Sequence, residues 1–72
     1  MNERYLRALV RLTRVSSARV LDATVEHLVY GETQLKSATK FGVKQEAVAR
    51  LSKRLVELDR RVTELHNLKN NN

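Results

Sequence analysis

The stretch SATKFGVKQEAVARLSKR, residues 37–54, joins two helix-forming runs through one glycine. Glycine enters the left-handed backbone region at almost no cost, whereas a residue with a side chain loses roughly 1–2 kcal/mol there. Gly42 is therefore the predicted pivot of a tight turn. A helix-turn-helix consists of a supporting helix, such a turn, and a recognition helix that enters the major groove of DNA. Its two helices approach closely, which calls for a small residue four positions before the glycine, and Ala38 stands there. Phe41, Val43, Val48 and Leu51 bracket the turn with apolar groups that recur inward on the second helix. Ser37 departs from the pattern, at a position where a larger apolar residue is usual, and Leu35 is the expected filler of that space. An ordinary helical hairpin with a solvated basic face draws on the same residue types. Apolar or small positions matching at fixed offsets around one glycine favour the helix-turn-helix, over about residues 33–54.

With the apolar stripe of the second helix turned inward, at about 100° per residue, Glu46, Ala49, Arg50 and Lys53 lie opposite it. Gln45 and Arg54 flank them, and Lys44 sits at the helix start. Gln can pair in two-pronged fashion with adenine and Arg with guanine, and an alanine methyl can meet a thymine methyl. Lys53 and Arg54 suit phosphate, which positions a protein without reading sequence. The first amides of the helix can donate to another phosphate. The candidate DNA-binding set is Lys44, Gln45, Glu46, Ala49, Arg50, Lys53 and Arg54, with Arg50 as the expected guanine reader.

The rest of the chain gives this motif a helical setting. There are 72 residues, no proline, no cysteine and two glycines, Gly31 and Gly42, with Leu, Val, Ala, Arg, Lys and Glu prominent. That composition predicts an all-α fold of four helices with a long C-terminal recognition helix, as one domain over 1–69 and a disordered tail at 70–72. Asn2 is the expected cap of a first helix ending near Thr13, with Leu6, Leu9, Val10 and Tyr5 on its apolar side. Arg4, Arg7, Arg11 and Arg14 then fall on one stripe, a second phosphate-contacting surface or a solvated face. Ser16 or Ser17 caps a second helix, Ser17 to Tyr30, with Leu21, Val25, Leu28 and Val29 facing inward, and Gly31 ends it. A third helix spans about Thr33–Lys40. The fourth starts near Lys44 and carries Val48, Leu51, Leu55, Leu58, Val62 and Leu65 at alternating intervals of three and four, a heptad stripe.

A chain this short buries only about 60% of its unfolded surface, and without disulfides it needs efficient helix packing, oligomerisation or both. The later part of the stripe, Leu58, Val62 and Leu65, is the candidate dimer interface. The net charge of +6 points to polyanionic partners, nucleic acid foremost. No apolar run approaches the roughly 20 residues needed to span a bilayer, and the N-terminus lacks a signal-peptide pattern, so a cytoplasmic protein with no membrane partner is expected.

The segment LVYGETQLKSATKFGVKQEAVARLSKR, residues 28–54, resembles the helix-turn-helix of the KorA/TrfB plasmid repressors. The shared features are Leu28-Val29 and Gly31, Gln34, Ala38-Thr39, Gly42, Ala47-Val48 and Arg54. The chain also resembles the PapB-type regulators of fimbrial adhesin operons, through HLVYG at 27–31 and RVSSARV at 14–20, over nearly its whole length. The resemblance implies a bacterial transcription regulator, dimeric or larger, that represses plasmid or fimbrial promoters by binding operator DNA. It also implies base- and phosphate-facing roles for Gln45, Arg50 and Lys53. KorA-type repressors carry a separate dimerisation region after the motif; here the heptad stripe is the natural substitute.

Other chemistry is thinly represented. His27 and His66 have no second ligand at metal-binding spacing. No nucleophile with a base, no paired carboxylates and no glycine-rich phosphate loop stand out, so neither an enzyme nor a cofactor is expected. Two rival readings use the same residues: a helical protein-interaction module built on the 48–65 stripe, and a basic RNA-binding protein. The scarcity of aromatics for base stacking weighs against single-strand recognition.

Overall fold

The computed structural model describes residues 1–14 and 17–71, and among them the chain forms four α-helices and no strand. These are α1 (Glu3–Val10), α2 (Ala18–Leu28), α3 (Gln34–Phe41) and α4 (Gln45–Asn70). Three of the four begin on a side-chain cap: Asn2 accepts from the Tyr5 amide, Ser17 from Val20 and Thr33 from Lys36. Ser16, the other expected cap of α2, lies outside the described residues, as does Asn72.

α1 stops sooner than its periodicity suggests. After Val10 the chain tightens into i→i−3 bonds, Leu12 to Leu9 at 2.9 Å and Thr13 to Val10 at 2.9 Å, and the Thr13 hydroxyl donates to the same Val10 carbonyl at 2.8 Å. The α-helical register therefore does not reach Arg14, which leaves the stripe that Arg4, Arg7 and Arg11 continue to share. α2 likewise ends at Leu28 rather than Tyr30. Gly31 follows at φ +77°, and the α2–α3 connection is tied by the Glu32 amide on the Glu26 carbonyl and by His27 Nδ1 on the Glu32 carbonyl at 2.7 Å. A carbonyl only accepts, so His27 carries the proton on Nδ1.

α3 ends as the glycine predicts. Gly42 adopts φ +66°, ψ +36°; its amide bonds to Thr39 and the Val43 amide to Ala38 at 2.9 Å. This is the Schellman closure, in which a left-handed residue lets two amides reach back to the last carbonyls of the helix. The chain then enters α4, which is 26 residues long, or roughly 39 Å at 1.5 Å per residue. α4 ends at Asn70, the first residue of the expected tail, with the Asn71 amide closing on the Asn67 carbonyl.

Two apolar clusters hold the helices. The smaller consists of Ala23, Ala38 and Val48, with Phe41 and Val43 against it, at the α2–α3–α4 junction. The larger consists of Leu6, Leu9, Val25, Leu51 and Leu55, bordered by Val20, Leu21, Leu28, Leu58 and Val62 among others. α1 lies on α4 and is stapled by polar contacts: the Tyr5 hydroxyl donates to Asp59 at 2.6 Å, Tyr30 to Glu3 at 2.6 Å, and Arg7 bridges Glu3 and Asp22.

Two expectations fail in the core. Leu35 is 61% exposed and does not fill the space beside Ser37, which is fully buried. Residues two apart on a helix point about 200° apart, so facing Ser37 inward turns Leu35 outward. The inner face of α2 is also smaller than expected, with Ala23 and Thr24 buried beside Val25 while Leu21 and Leu28 are only half-buried. Thr24 satisfies its hydroxyl on the Val20 carbonyl at 2.7 Å. The hydroxyls of Ser37 and Ser52 are buried with no hydrogen-bond partner among the described residues.

An unpaired buried hydroxyl costs about 1–3 kcal/mol, and alanine is the better helix former. Ser37→Ala and Ser52→Ala are each expected to raise stability by roughly 1 kcal/mol in urea unfolding; a loss on both would show that the hydroxyls do find partners. An added Cβ at Gly42 meets no atom within 4 Å, so Gly42→Ala should cost only the left-handed strain, about 1–2 kcal/mol. The hydrogen bonds to Asp59 and Glu3 push the Tyr5 and Tyr30 phenols above the ordinary value of 10.0. Their stabilisation of α1 is fully present below pH 10.0 and lost as pH rises through the raised values. Tyr30 and Arg7 hold the Glu3 carboxyl below its ordinary 4.5, so that contact is present above pH 4.5 and lost as pH falls through the lowered value. Tyrosinate absorbance and helix content followed across pH should show α1 released at both extremes.

Candidate nucleic-acid interface

The turn at Gly42 sets the direction of α4, and the burial of Val48, Leu51 and Leu55 sets its rotation. What remains outward follows from those two facts. Lys44, Gln45, Glu46, Arg50, Lys53 and Arg54 are exposed, and Ala49 is half-buried. All seven predicted residues therefore lie on one end of one helix, spread over its outward line and its two flanks. Lys44 precedes the helix with no side-chain cap of its own, so the first turn of α4 lacks the hydroxyl or amide acceptor that the other three helices have.

Charge is distributed unevenly over this surface. Three cations meet carboxylates: Arg7 with Glu3 and Asp22, Lys40 with Glu26 at 3.2 Å, and Arg60 with Glu64 at 3.9 Å. Lys44, Arg50, Lys53 and Arg54 take part in none of the ion pairs among the described residues. Lys40 also stands 5.6 Å from the Phe41 ring centroid, at the end of α3. Arg4, Arg11, Arg14, Arg19, Lys36, Arg61 and Lys69 stand outside those pairs as well, so the start of α4 is one of several places where cations are unneutralised among the described residues.

One contributor to that surface is not where its spacing suggests. Arg14, released from the α1 stripe, lines a groove against α4 together with Ser17, Val20, Ala47, Arg50, Leu51 and Arg54. The adjoining groove, walled by Leu12, Thr13, Glu57, Leu58 and Arg61, shares Arg54. Leu12, Thr13 and Arg14 after α1 and Ser17 before α2 therefore lie along one flank of α4, where Arg14 extends its basic surface. A helical-spacing rule carried past the end of α1 hides Arg14, and the expected helix end near Thr13 is the signal that could have found it. Arg4, Arg7 and Arg11 line a separate recess on α1 with Ala8.

The proposed dimer residues divide. Leu58 and Val62 are half-buried against the chain's own larger cluster, whereas Leu65 is 66% exposed, followed by Leu68 at 67%. Among the described residues no three His, Asp or Glu side chains gather to hold a metal ion, and no helix is long and apolar enough to cross a membrane. His66 is engaged with the Asn70 side chain at 2.9 Å. The chain matches no family model, no curated protein and no solved structure.

Proposed function

We propose that the chain is a sequence-specific double-stranded DNA-binding regulator that lays the first half of α4 in the major groove. The observation that supports this most is the coincidence of three features at one helix end. A left-handed glycine turn joins α3 to α4, the start of α4 beyond it exposes Gln45 and Glu46 with Ala49 beside them, and Lys44, Arg50, Lys53 and Arg54 around them form no ion pair among the described residues. Gln45 offers the two-pronged pairing with adenine and Ala49 a methyl contact, while Lys44 and Lys53 suit the phosphates on either side. The resemblance to KorA/TrfB- and PapB-type regulators adds a cytoplasmic bacterial repressor acting at plasmid or fimbrial promoters. No residue is assigned a catalytic or cofactor-binding role.

The same reading takes the protein to act as a homodimer or larger homo-oligomer. The end of α4 past Val62 carries bare Leu65, the last residue of the heptad stripe, and bare Leu68 beside it. Two such ends packed together would bury them and place two recognition helices for half-sites about one helical turn, some 10 bp, apart. Exposed Leu12 and Val56 favour a second reading, a protein-interaction module that docks a partner along α4.

Selection from a random duplex pool at about 150 mM salt, where phosphate contacts alone are weakened, tests the proposal. An enriched motif with two related half-sites supports it; binding without enrichment reduces it to phosphate affinity, and no duplex binding shifts the reading to the protein-interaction module. On the selected sequence Gln45→Ala should lose about 1–3 kcal/mol and relax preference at one base pair. Lys53→Ala should weaken selected and scrambled duplexes alike and flatten the salt dependence by about one unit of slope. Leu65→Asp should shift sedimentation toward monomer while leaving helix content unchanged.

A further inference from the structure

We infer that the groove lined by Arg14, the start of α2 and the first half of α4 is a seat for one phosphate group, held by Arg14, Arg50 and Arg54. The inference rests on the DNA-binding reading for the source of that phosphate, the sugar-phosphate backbone beside the major groove. It also moves Arg50 from base to backbone.

The seat is a product of the fold. Arg14 comes from the segment between α1 and α2, and Arg50 and Arg54 from successive turns of α4, yet all three line one recess. Each guanidinium presents five N–H donors in a planar fork that suits a phosphate oxygen pair. None of the three belongs to an ion pair among the described residues. Carboxylates are near in sequence: Glu46 stands one turn before Arg50, and Glu57 one residue-triplet after Arg54 on the wall of the adjoining recess. Neither forms a salt bridge there, although comparable i,i+4 pairs form at Glu3–Arg7 and Arg60–Glu64. Three like charges drawn together without a counter-charge repel one another, and an anion bound between them removes that repulsion.

The position in the recess selects the kind of anion contact. A helix lying in the major groove meets base edges along its outward line and phosphate walls along its flanks. Glu46 and Lys53 occupy the outward line, with Gln45 and Ala49 to one side of it, whereas Arg50 and Arg54 lie to the other side and line the recess with Arg14 where α2 begins. Ser17 on the same recess accepts from the Val20 amide at 3.2 Å and keeps its own hydroxyl hydrogen to donate. The positive end of α2 adds to the potential there.

The test uses the full chain with R14Q, R50Q, R54Q and the control R4Q, since Arg4 is exposed on a different recess and carries the same charge. In one arm, inorganic phosphate is titrated while the guanidinium Nε–H resonances are followed by NMR. The signals of Arg14, Arg50 and Arg54 should move along one saturation curve that R14Q abolishes, with Arg4 unmoved. In the other arm, affinity for a selected duplex and its scrambled counterpart is measured over a salt series. R14Q should weaken both duplexes about tenfold and lower the salt slope by about one, whereas R4Q changes affinity less than about twofold. The double variant R14Q/R54Q should lose less than the product of the single losses, because both side chains serve one phosphate.

R14Q behaving as R4Q in both arms overturns the seat, and so does a loss for R50Q confined to the selected duplex, which returns Arg50 to base reading. If the native chain binds no duplex but the three signals still share one phosphate curve, the seat stands for a free phosphate ligand and the DNA reading falls. If neither arm responds, both fall.

Discussion

The left-handed turn at Gly42 is the constraint on which the rest of the molecule depends. Two amides reach back from it, Gly42 to Thr39 and Val43 to Ala38, and together they fix the angle at which α4 leaves α3. That angle can be held only if the helices come close, and the junction is lined by Ala23, Ala38 and Val48, side chains small enough to permit it. So little apolar area cannot supply much stability. The stability comes from the second cluster, where Leu6, Leu9, Leu51 and Leu55 are each buried and worth roughly 1.5–3 kcal/mol. One cluster sets geometry and the other sets depth. α4 belongs to both, through Val48 in the first and Leu51 and Leu55 in the second. Its rotation is therefore determined twice, and the outward identity of Gln45, Glu46 and Lys53 follows from that rotation.

The acidic residues of α1 and α2 are engaged with the cations of their own neighbourhood, Glu3 and Asp22 with Arg7 and Glu26 with Lys40. Exposed pairs of this kind add little stability, typically about 0–1 kcal/mol. Lys44, Arg50, Lys53 and Arg54 stand outside these pairs, as do Arg4, Arg11, Arg14, Arg19, Lys36, Arg61 and Lys69, so positive charge remains along the whole chain. A surplus of that sign raises the encounter rate with a polyanion.

The parts of this structure that were legible in the sequence are those fixed by a local backbone need. Asn2 and Ser17 each satisfy an amide within three residues, and Gly42 supplies a backbone angle, so these three could be read without knowing what packs where, whereas Thr33, expected as the first residue of α3, caps it instead. The heptad spacing of α4 gave its buried line for the same reason. What was illegible depends on contacts between distant segments. Leu35 looks like a core residue by type, but the demand that Ser37 and Ala38 face α2 turns it to solvent. Arg14 looks like the fourth member of an α1 stripe until the helix tightens after Val10, and only the packing of the residues after α1 against α4 sets it beside Arg50 and Arg54. Ala23 and Thr24 are poor hydrophobes, buried because close helix approach requires small groups. Whether Leu58 and Val62 face a partner or α1 cannot be decided from spacing, since both partners would use the same stripe.

That stripe changes its partner along its length, and the change links the two ends of α4. Val48 to Leu55 are buried in the chain's own core, Leu58 and Val62 are half-covered beside α1, and Leu65 and Leu68 are bare. From Arg50 to Leu65 the helix rises by roughly 22 Å, continuous and without a glycine or proline to bend it. In the proposed dimer such a helix would act as a strut: the crossing of the two bare ends sets the distance between the two groove-entering ends. Half-site spacing would then be a mechanical property of α4 rather than of any residue that touches DNA. The staples that hold α1 across the middle of the strut, Tyr5 on Asp59 and Leu6 and Leu9 against Leu55, would stiffen it at the point where bending would most change that spacing. A helix seemingly too long for its own core is thus accounted for by the separation of its two tasks.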